Sequence, residues 1–450
     1  MAAARGEFGS RFGFLMAASG SAVGLGNIWG FPTNAASNGG AAFLFVYLIL
    51  TFILAYPALM AELIIGRHTR ANAVSALRQI ATGPKSRLLG GIVGFTGIIT
   101  VVLILSFYAV VSGWMLAWFS GSLASVVGLN DAATWLTADA YTRNSLFSAL
   151  FMALTIWVIS AGVHDGIEKW SSRLMPSLIV LLVLLSVYVL TLEGALDGLK
   201  AYLVPDFSAV ADAGLLVSAL GQAFFSLSLG VGTMLIYGSY LSRKENLAVT
   251  GSLVALLDAG IAFIAGLLIL PAMYVAQANG VTIYTETGEL AAGPGLIISV
   301  LPALFDSMGG VGAVVAVAFF ALMSIASLTS SISMLEVPVA YTVETFALSR
   351  AKATVIIGAL ITGLCLVLVF NFALLFDFVV SLTTEFSQPL MGFFFVLFVG
   401  WIWHRNEVLQ ELQSGSPEIA DTLFWKIWPS YIRFVCPISI LAVYTQLLFF

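Results

Sequence analysis

Residues 20–27 read Gly-Ser-Ala-Val-Gly-Leu-Gly-Asn and interrupt an apolar run that extends over residues 11–37. Each glycine costs a helix about 1 kcal/mol relative to alanine, so this stretch predicts a break in the middle of the segment. A second stretch, residues 226–232, reads Ser-Leu-Ser-Leu-Gly-Val-Gly within the apolar run 213–241. Each stretch alone also fits close packing of helices through small residues. Together, at corresponding places in the chain, they predict unwound backbone that lines a cavity at mid-membrane depth.

The composition places these two stretches in a membrane protein. Of the 450 residues, 60% are hydrophobic and 9% are charged, whereas soluble chains carry about 25% charged residues. A soluble chain of this length could not bury so much apolar surface in its cores. The composition therefore excludes a soluble enzyme, a disordered chain and a nucleic-acid-binding protein, and it indicates an all-α membrane protein.

Eleven segments are long and apolar enough to cross a bilayer, which takes about 20 residues in a helix. They cover residues 11–37, 41–66, 89–124, 145–161, 172–192, 213–241, 247–277, 311–344, 353–371, 377–402 and 428–450. We expect a single transmembrane domain over residues 1–450. We expect no cleavable signal peptide, because residues 1–10 are polar and the first apolar run has no small-residue cleavage site.

The distribution of basic residues sets the orientation. With the N-terminus in the cytoplasm, all but two of the 18 Lys and Arg residues fall on the inner side, and the exceptions are Arg143 and Lys200. Cytoplasmic loops of membrane proteins carry such an excess of Lys and Arg. The sequence therefore predicts a multi-pass protein of the cell inner (plasma) membrane with its N-terminus in the cytoplasm and its C-terminus outside.

The two interrupted segments divide the chain into halves. One opens the first block of five predicted helices, about 11–192, and the other opens the second block, about 213–402. The first segment enters the membrane from the cytoplasm and the sixth from outside, so the halves have opposite topology. This is the arrangement of an inverted repeat around a central binding site. The segment at about 428–450 is an additional helix.

Several motifs resemble the neurotransmitter:sodium symporter family over essentially the whole chain. They are Asn27-Ile28-Trp29-Gly30-Phe31-Pro32, Asn38-Gly39-Gly40-Ala41 with Phe43, Tyr56-Pro57 with Glu62 and Gly66-Arg67, Tyr108, residues 222–230 (Gln-Ala-Phe-Phe-Ser-Leu-Ser-Leu-Gly), and Ser327-Leu328-Thr329-Ser330-Ser331. The resemblance implies a LeuT-type 5+5 inverted repeat with broken helices 1 and 6, plus an eleventh transmembrane helix. It also implies sodium-coupled symport of a small molecule by alternating access.

The resemblance implies two sodium sites built from freed carbonyl groups and side-chain oxygens. One comprises Gly20, Val23, Ala326, Thr329 and Ser330, and the other comprises Ala22, Asn27, Ser226 and Asp258. The hydroxyl groups of the eighth segment could instead bond back to their own helix.

Asp258 occupies a position where the family often has Asn near a serine that helps to bind chloride. Here the serine position holds Ala262, although Tyr47, Gln222 and Ser226 match the other chloride-binding positions. An ionisable residue within the membrane is costly and usually functional. We therefore expect Asp258 to supply the negative charge permanently, so that transport needs no chloride. A structural acid held by hydrogen bonds is the alternative.

The substrate is expected to be a neutral, apolar or aromatic α-amino acid. Monoamine-binding members of the family have Asp where this chain has Gly24, so the substrate should bring its own carboxylate. The N–H groups at Leu25 and Gly26 and the Tyr108 hydroxyl would bind that carboxylate, as helix N-termini bind anions. The carbonyl groups of Ala22, Phe225 and Ser228 would bind the ammonium group, and the substrate carboxylate would complete the cage of Ser226 and Asp258. The resemblance assigns the side-chain wall to Leu25, Ile104, Phe225, Val231, Ser330 and Met334.

The motifs match the family's gating residues, which close the two ends of the transport path, only in part. Many family members have an outer arginine where this chain has Gly30, and its acidic partner would be Asp377. On the inner side, Arg5 and Glu344, with Tyr240 nearby, match the family's cytoplasmic gate. Glu62 matches a family position, whereas Glu336 and Glu385 have no assigned role.

Other functions remain possible from the sequence alone. A sodium-dependent transporter of another small carboxylate-bearing solute fits the same motifs, and an ion channel fits them less well because a pore needs continuous rings of charge or carbonyls. A membrane enzyme would need a nucleophile or metal constellation, which the sparse His and Cys residues do not suggest. The expected partners are the amino acid, sodium and membrane lipid, and the oligomeric state is open.

Overall fold

The computed structural model describes residues 6–204, 213–284, 290 and 300–449. Within these ranges the chain is helical, and extended pairing is limited to one isolated bridge between Tyr284 and Leu290. Helical backbone satisfies its own N–H and C=O groups, which is what a lipid environment requires. The α-helices are α1 (Arg11–Ala22), α2 (Phe31–Ser37), α3 (Ala41–Leu50), α4 (Tyr56–Thr69), α5 (Ala73–Ile80), α6 (Pro84–Val126), α7 (Asn130–Thr137), α8 (Tyr141–Ser160), α9 (Lys169–Leu190), α10 (Ala195–Leu203), α11 (Ala213–Ser226), α12 (Thr233–Ser239), α13 (Leu247–Ala278), α14 (Leu301–Ser307), α15 (Gly309–Phe346), α16 (Arg350–Phe370), α17 (Phe372–Val380), α18 (Gln388–Leu397), α19 (Arg405–Gln413), α20 (Leu423–Ser430) and α21 (Cys436–Phe449).

Eight continuous helical segments of the described residues are long and apolar enough to cross a membrane, and a bent pair at the start of the chain makes a ninth. Their ends lie within a few residues of the predicted ones, except that the fifth begins at Val163 rather than at 172. The other two predicted segments do not form single helices that are long and apolar enough to cross a membrane. Segment 213–241 is divided between α11 and α12, and segment 428–450 includes part of α20, a π-helical turn Tyr431–Val435 and α21.

The first bent segment is broken at the predicted stretch. α1 ends at Ala22, Val23 is extended with φ −78° and ψ 102°, and the helix resumes as a π-helical turn at Gly26–Gly30 that leads into α2. The two parts differ in direction by 53°. The start of α1 is fixed by Ser10, whose Oγ accepts a hydrogen bond from the Gly13 N–H at 2.9 Å.

The segment of α11 and α12 is also discontinuous. α11 ends at Ser226 and α12 begins at Thr233, and Ser228, Gly230 and Gly232 between them have positive φ values of 52°, 84° and 80°. A Cβ at Gly230 would lie 2.1 Å from the carbonyl oxygen of Gln388, so only glycine fits there. Glu62 accepts a hydrogen bond from the freed Gly230 N–H at 2.7 Å. A buried carboxylate thus stabilises backbone that has left the helix.

The two long helices α6 and α15 pack against each other and carry the site between them and the broken segments. One end of the molecule holds the start of α1, and we call it the N-terminal face. There the Phe8 N–H donates to the Tyr240 carbonyl at 3.1 Å, and the buried Arg67 contacts Glu411 at 2.6 Å and the Glu245 carbonyl at 2.5 Å. Loops predicted to lie on the inner side are therefore joined at this face.

Candidate functional site

A cavity lies where the two broken segments meet α6, α15 and α18. All of the predicted substrate-binding residues except Ser226 line it, and Ser21 and Gln388 complete the lining. The predicted residues in this lining are Ala22, Gly24, Leu25, Gly26, Ile104, Tyr108, Phe225, Ser228, Val231, Ser330 and Met334. The breaks therefore bring backbone polar groups and an apolar wall to the same place.

Hydrogen bonds across the cavity connect the two breaks to their neighbours. The Leu25 N–H donates to the Tyr108 hydroxyl at 3.1 Å, and the Ser228 hydroxyl donates to the Ser21 carbonyl at 2.9 Å. Tyr108 lines the cavity and is only 5% exposed. These contacts orient a polar edge of the cavity beside the apolar side chains.

Gly24 has no room for a side chain. A Cβ there would lie 2.4 Å from Ser330 Oγ and 2.7 Å from the Tyr108 hydroxyl. An aspartate at this position would therefore displace both Ser330 and Tyr108. The site therefore requires glycine at position 24 for packing, and the same glycine leaves the site without a negative charge there.

A first cluster of oxygen atoms lies between α1 and α15. The Ser330 Oγ lies 3.1 Å from the Gly20 carbonyl oxygen and 3.3 Å from that of Val23. The Thr329 Oγ1 lies 3.0 Å from the Ala326 carbonyl oxygen and 3.2 Å from that of Ile325, so this hydroxyl bonds back to its own helix. The five predicted ligands are thus linked in two groups of neighbouring oxygens, and oxygen donors of this kind are what a hard cation requires.

A second cluster surrounds Asp258 on α13, which is fully buried. The Asn27 Nδ2 donates to Asp258 Oδ1 at 2.7 Å and to Ser226 Oγ at 2.8 Å. The Tyr47 hydroxyl lies 3.4 Å from Asp258 Oδ2. The amide of Asn27 therefore presents its nitrogen to the carboxylate, and a rotation of that amide would present its oxygen to a cation.

Gln222 does not lie among the hydrogen-bond partners of Asp258. Its Nε2 donates to the Gly26 carbonyl at 2.8 Å, and its Oε1 accepts from Asn34 at 2.9 Å. It thus stabilises the backbone that follows the first break. The sequence match to a chloride-binding position gave no information about this orientation.

Gln388 is a cavity residue that the sequence analysis missed. It is 3% exposed, and its Oε1 has no hydrogen-bond partner among the described residues. The sequence did contain a signal for this residue, because it is a glutamine next to Pro389 in the middle of an apolar segment. Polar side chains at that depth are rarely without a role. The cavity thus contains a free acceptor near its apolar wall.

The residues of the expected inner gate lie in two networks at the N-terminal face. Tyr240 donates to Glu336 at 2.5 Å, and Arg350 binds both carboxylate oxygens of Glu336, at 3.0 and 2.5 Å. Glu344 accepts from the Asn72 N–H at 3.0 Å and from its side-chain amide at 2.7 Å. Arg5 lies outside the described residues. Glu336, which had no assigned role, is therefore the acid that joins Tyr240 to Arg350.

The acid expected at the outer gate, Asp377, and the unassigned Glu385 are both exposed on the tenth segment. A Cβ at Gly30 would lie 3.5 Å from Gln222 Oε1, 3.9 Å from the Leu25 carbonyl oxygen and 4.0 Å from Gln222 Nε2, so a side chain there has room.

A sequence model of the "Sodium:neurotransmitter symporter family" matches residues 5–149 and 136–449. The chain belongs to this family. Members of the sodium:neurotransmitter symporter family are sodium-coupled transporters and not enzymes, and sodium is the coupling ion. The oxygen clusters at Ser330 and Asp258 fit that ion in the chemistry of their donors.

Three comparisons give the range of relatives. The "Uncharacterized sodium-dependent transporter YhdH" of Bacillus subtilis is 34% identical over 98% of this chain and 97% of its own length. The "Sodium- and chloride-dependent taurine transporter" of Rattus norvegicus is 30% identical over 66% of this chain and 54% of its own length. The crystal structure of MhsT in complex with L-phenylalanine is similar with a TM-score of 0.85 at 37% identity, covering 98% of this chain and 99% of that one.

Proposed function

We propose that this symporter carries a neutral amino acid with an apolar or aromatic side chain into the cell, by alternating access around the cavity. The observation that carries the proposal is the lining itself, in which the two breaks meet a wall of Ile104, Phe225, Val231 and Met334. A charged side chain would lose several kcal/mol on burial against that wall without a partner. The similarity to MhsT, whose structure contains L-phenylalanine, supports the same class of substrate.

The ends of the amino acid have distinct partners in this proposal. The substrate carboxylate binds at Leu25, Gly26 and the Tyr108 hydroxyl. The substrate ammonium group binds the carbonyls of Ala22, Phe225 and Ser228. The steric closure at Gly24 supports this arrangement, because it leaves no space for the side-chain carboxylate that an amine without its own carboxylate would need.

Two sodium ions complete the site in this proposal. One is held by Gly20, Val23, Ala326, Thr329 and Ser330. The other is held by Ala22, Asn27, Ser226 and Asp258, with the substrate carboxylate next to it. Because Asp258 is buried and carries its own charge, we propose that transport proceeds without chloride. Ala262, one turn from Asp258, offers no hydroxyl for a chloride ion.

The topology proposed is a 5+5 inverted repeat with breaks in the first and sixth helices and an eleventh helix at the C-terminal end. The N-terminal face is then cytoplasmic, with Tyr240, Glu344 and Arg5 as its gate. The contacts of Arg67 with Glu245 and Glu411 support placing their loops on one side of the membrane, and the excess of Lys and Arg in the predicted inner loops supports the cytoplasmic side. Single cysteines at Asp139 and Glu418 should be labelled by an impermeant reagent from outside and from inside respectively, and the reverse pattern would exclude this orientation.

The substrate class is tested by the melting temperature of the purified protein with and without sodium, since a ligand of the native state raises it. L-Phenylalanine, leucine, methionine and tryptophan should raise it in sodium and less in choline chloride. Lysine, glutamate, taurine and phenethylamine should have little effect. If one of these four stabilises the protein more than the apolar amino acids do, the proposed substrate class is wrong.

Uptake into proteoliposomes separates a transporter from the less favoured channel. Saturable, sodium-driven uptake of labelled phenylalanine is expected. Conductance that grows linearly with ion concentration and needs no amino acid would favour a channel instead. The Tyr108→Phe variant, which removes only the hydroxyl, should weaken phenylalanine binding about tenfold or more, because a hydrogen bond to a charged group is worth about 1.5–3 kcal/mol.

A further inference from the structure

A second cavity lies at the N-terminal face, away from the substrate site, and we call it the Trp–Arg cavity. It has a volume of about 410 Å³ and is lined by side chains that include Trp401, Trp403, Trp425, Trp428, Arg405 and Arg433. It is formed where the π-helical turn Phe398–Ile402 meets α20 and the turn Tyr431–Val435. None of the transport roles proposed above uses these residues.

The Trp–Arg cavity is strongly biased towards positive charge. Its lining contains no Asp or Glu residue, and the acid beside it, Glu407, accepts a hydrogen bond from the Trp403 Nε1 at 2.7 Å. Arg433 stacks on Trp401 with its Cζ 4.3 Å from the ring centroid, and Arg405 lies over Trp425 at 5.4 Å. Among the described residues, neither guanidinium forms an ion pair with a carboxylate. The aromatic faces hold the two cations in place and leave their N–H groups available to an anion.

An apolar surface begins at the mouth of this cavity. Phe434, Ile438 and Leu441 follow Arg433 at helical spacing and are 49%, 65% and 47% exposed. Phe434 lies in the π-helical turn Tyr431–Val435, and Ile438 and Leu441 continue along α21, as the lipid-facing side of a helix does. A ligand with one anionic end and one long apolar part would match both features.

The position fits the membrane–water boundary. Trp403 lies 4.6 Å from His68, centroid to centroid, beside the buried Arg67 at the end of α4. Tryptophan side chains concentrate at this depth in membrane proteins. Basic pockets between transmembrane helices at such a boundary bind the head groups of anionic lipids.

We propose that the Trp–Arg cavity binds an anionic glycerophospholipid. Arg405 and Arg433 bind the phosphate group, which matches the fork of a guanidinium. The acyl chains lie along Phe434, Ile438 and Leu441. A lipid of this kind would fix the tenth segment to the C-terminal helix without touching the substrate cavity.

The first test uses the full-length wild-type protein in nanodiscs of mixed phosphatidylglycerol and phosphatidylcholine. Native mass spectrometry is expected to show retained phosphatidylglycerol in excess over its share of the bilayer. Phosphatidylglycerol with brominated acyl chains should quench tryptophan fluorescence more than brominated phosphatidylcholine at the same content, because Trp401 is half-exposed at the cavity mouth. Equal retention and equal quenching for both lipids would overturn the proposal.

The second test uses the double variant Arg405→Gln with Arg433→Gln. Each basic residue near an anionic lipid surface contributes about 1 kcal/mol, so retention should fall about fivefold for each arginine removed. Lys426→Gln is the matched control, because Lys426 is exposed on α20 but does not line the cavity. If Lys426→Gln lowers retention as much as the double variant does, the attraction is a general surface effect and the cavity is not the site.

A third arm distinguishes a lipid from a free anion. Glycerol phosphate or inorganic phosphate, added at millimolar concentration to protein in phosphatidylcholine nanodiscs, should not raise the melting temperature as phosphatidylglycerol does. An equal increase would assign the site to a soluble anion instead. Sodium-dependent phenylalanine uptake by the double variant in phosphatidylcholine liposomes shows whether that variant is folded. The quenching comparison uses only the wild-type protein, so it tests the proposal even if the variant does not fold.

Discussion

The Ser226 hydroxyl lies 2.9 and 2.8 Å from the two carboxylate oxygens of Asp258, and both residues are buried between the break after α11 and the middle of α13. The carboxylate is therefore held by a residue that also terminates a broken helix. Its charge and the geometry of the break are linked, and loss of the charge should affect transport rather than folding alone.

Asp258→Asn tests this link. The substitution removes a charge that accepts hydrogen bonds from Asn27 and Ser226, and a hydrogen bond to a charged group is worth about 1.5–3 kcal/mol. Sodium-driven uptake should fall about tenfold or more, whereas wild-type uptake should be the same in chloride and in gluconate. The double variant Asp258→Asn with Ala262→Ser should regain activity in chloride only. A chloride requirement in the wild type would contradict the role given to Asp258.

Ser330→Ala and Thr329→Ala test the first oxygen cluster. Each removes one oxygen that lies 3.0–3.3 Å from the carbonyls of the cluster. The sodium concentration for half-maximal uptake should rise about tenfold, because losing one oxygen ligand should cost about as much as losing a hydrogen bond to a charged group. Ser331→Ala is the control, because Ser331 is not among the five proposed ligands and its hydroxyl bonds the Ser327 carbonyl at 2.9 Å, outside that cluster. An equal effect of all three substitutions would indicate damage to α15 rather than loss of a sodium ligand.

Gly24→Ala tests the steric requirement at the first break. The added methyl group would lie 2.4 Å from Ser330 Oγ, and overpacking of this kind costs about 1–3 kcal/mol. We expect phenylalanine affinity to fall about tenfold or more in a binding assay. Gly260→Ala should be neutral or slightly stabilising, because a Cβ there meets nothing within 4 Å. Normal affinity in Gly24→Ala would show that Ser330 and Tyr108 can move aside.

Much of this site could be predicted from the sequence because its signals are local. Glycine-rich stretches lower helix stability wherever they occur, so residues 20–27 and 226–232 identify the breaks without knowledge of their neighbours. The ends of long apolar helices such as α13 and α15 follow from the same local reasoning. The fifth helix began earlier than predicted because His164, Asp165 and Glu168 read as loop residues, although their backbone forms a π-helical turn.

The remaining parts depend on partners that are distant in the sequence. Gln222 forms hydrogen bonds with Gly26 and Asn34, and Arg350 forms an ion pair with Glu336. The spacing of these residues in the sequence does not predict either set of contacts. Gln388 enters the cavity because the backbone of α18 packs directly against Gly230. Such orientations are set by tertiary packing, so a motif can place a residue near a site without specifying which group it faces.

Gln388→Leu tests the free acceptor in the substrate cavity. The Oε1 can accept a hydrogen bond from the indole N–H of tryptophan or the hydroxyl of tyrosine, which is worth about 1 kcal/mol or fivefold in affinity. The variant should therefore lower the affinity ratio of tryptophan to phenylalanine about fivefold while phenylalanine itself binds as well or better. Thr384→Val, one turn earlier, should leave the ratio unchanged because that hydroxyl bonds the Val380 carbonyl at 2.8 Å. An unchanged ratio in Gln388→Leu would show that Gln388 does not contact the substrate side chain.

Glu411 predicts how stability responds to acid at the N-terminal face. Burial tends to raise the pKa of this carboxyl, but the hydrogen bond with His68 and the charge of Arg67 outweigh it, so its pKa lies below the ordinary value of 4.5. The unfolded chain therefore binds the proton first as the pH falls. The stabilisation from the ionised carboxylate is complete above pH 4.5 and is lost as the pH falls through the folded pKa.

Glu411→Gln leaves Arg67 buried without its counter-charge and should cost about 3 kcal/mol of stability at pH 7. The melting temperature of the variant should be lower at neutral pH and should depend less on acid than that of the wild type. Glu418→Gln, at an exposed position of the same loop, should follow the wild-type curve. Parallel curves for Glu411→Gln and the wild type would show that the Arg67–Glu411 pair does not carry the acid sensitivity.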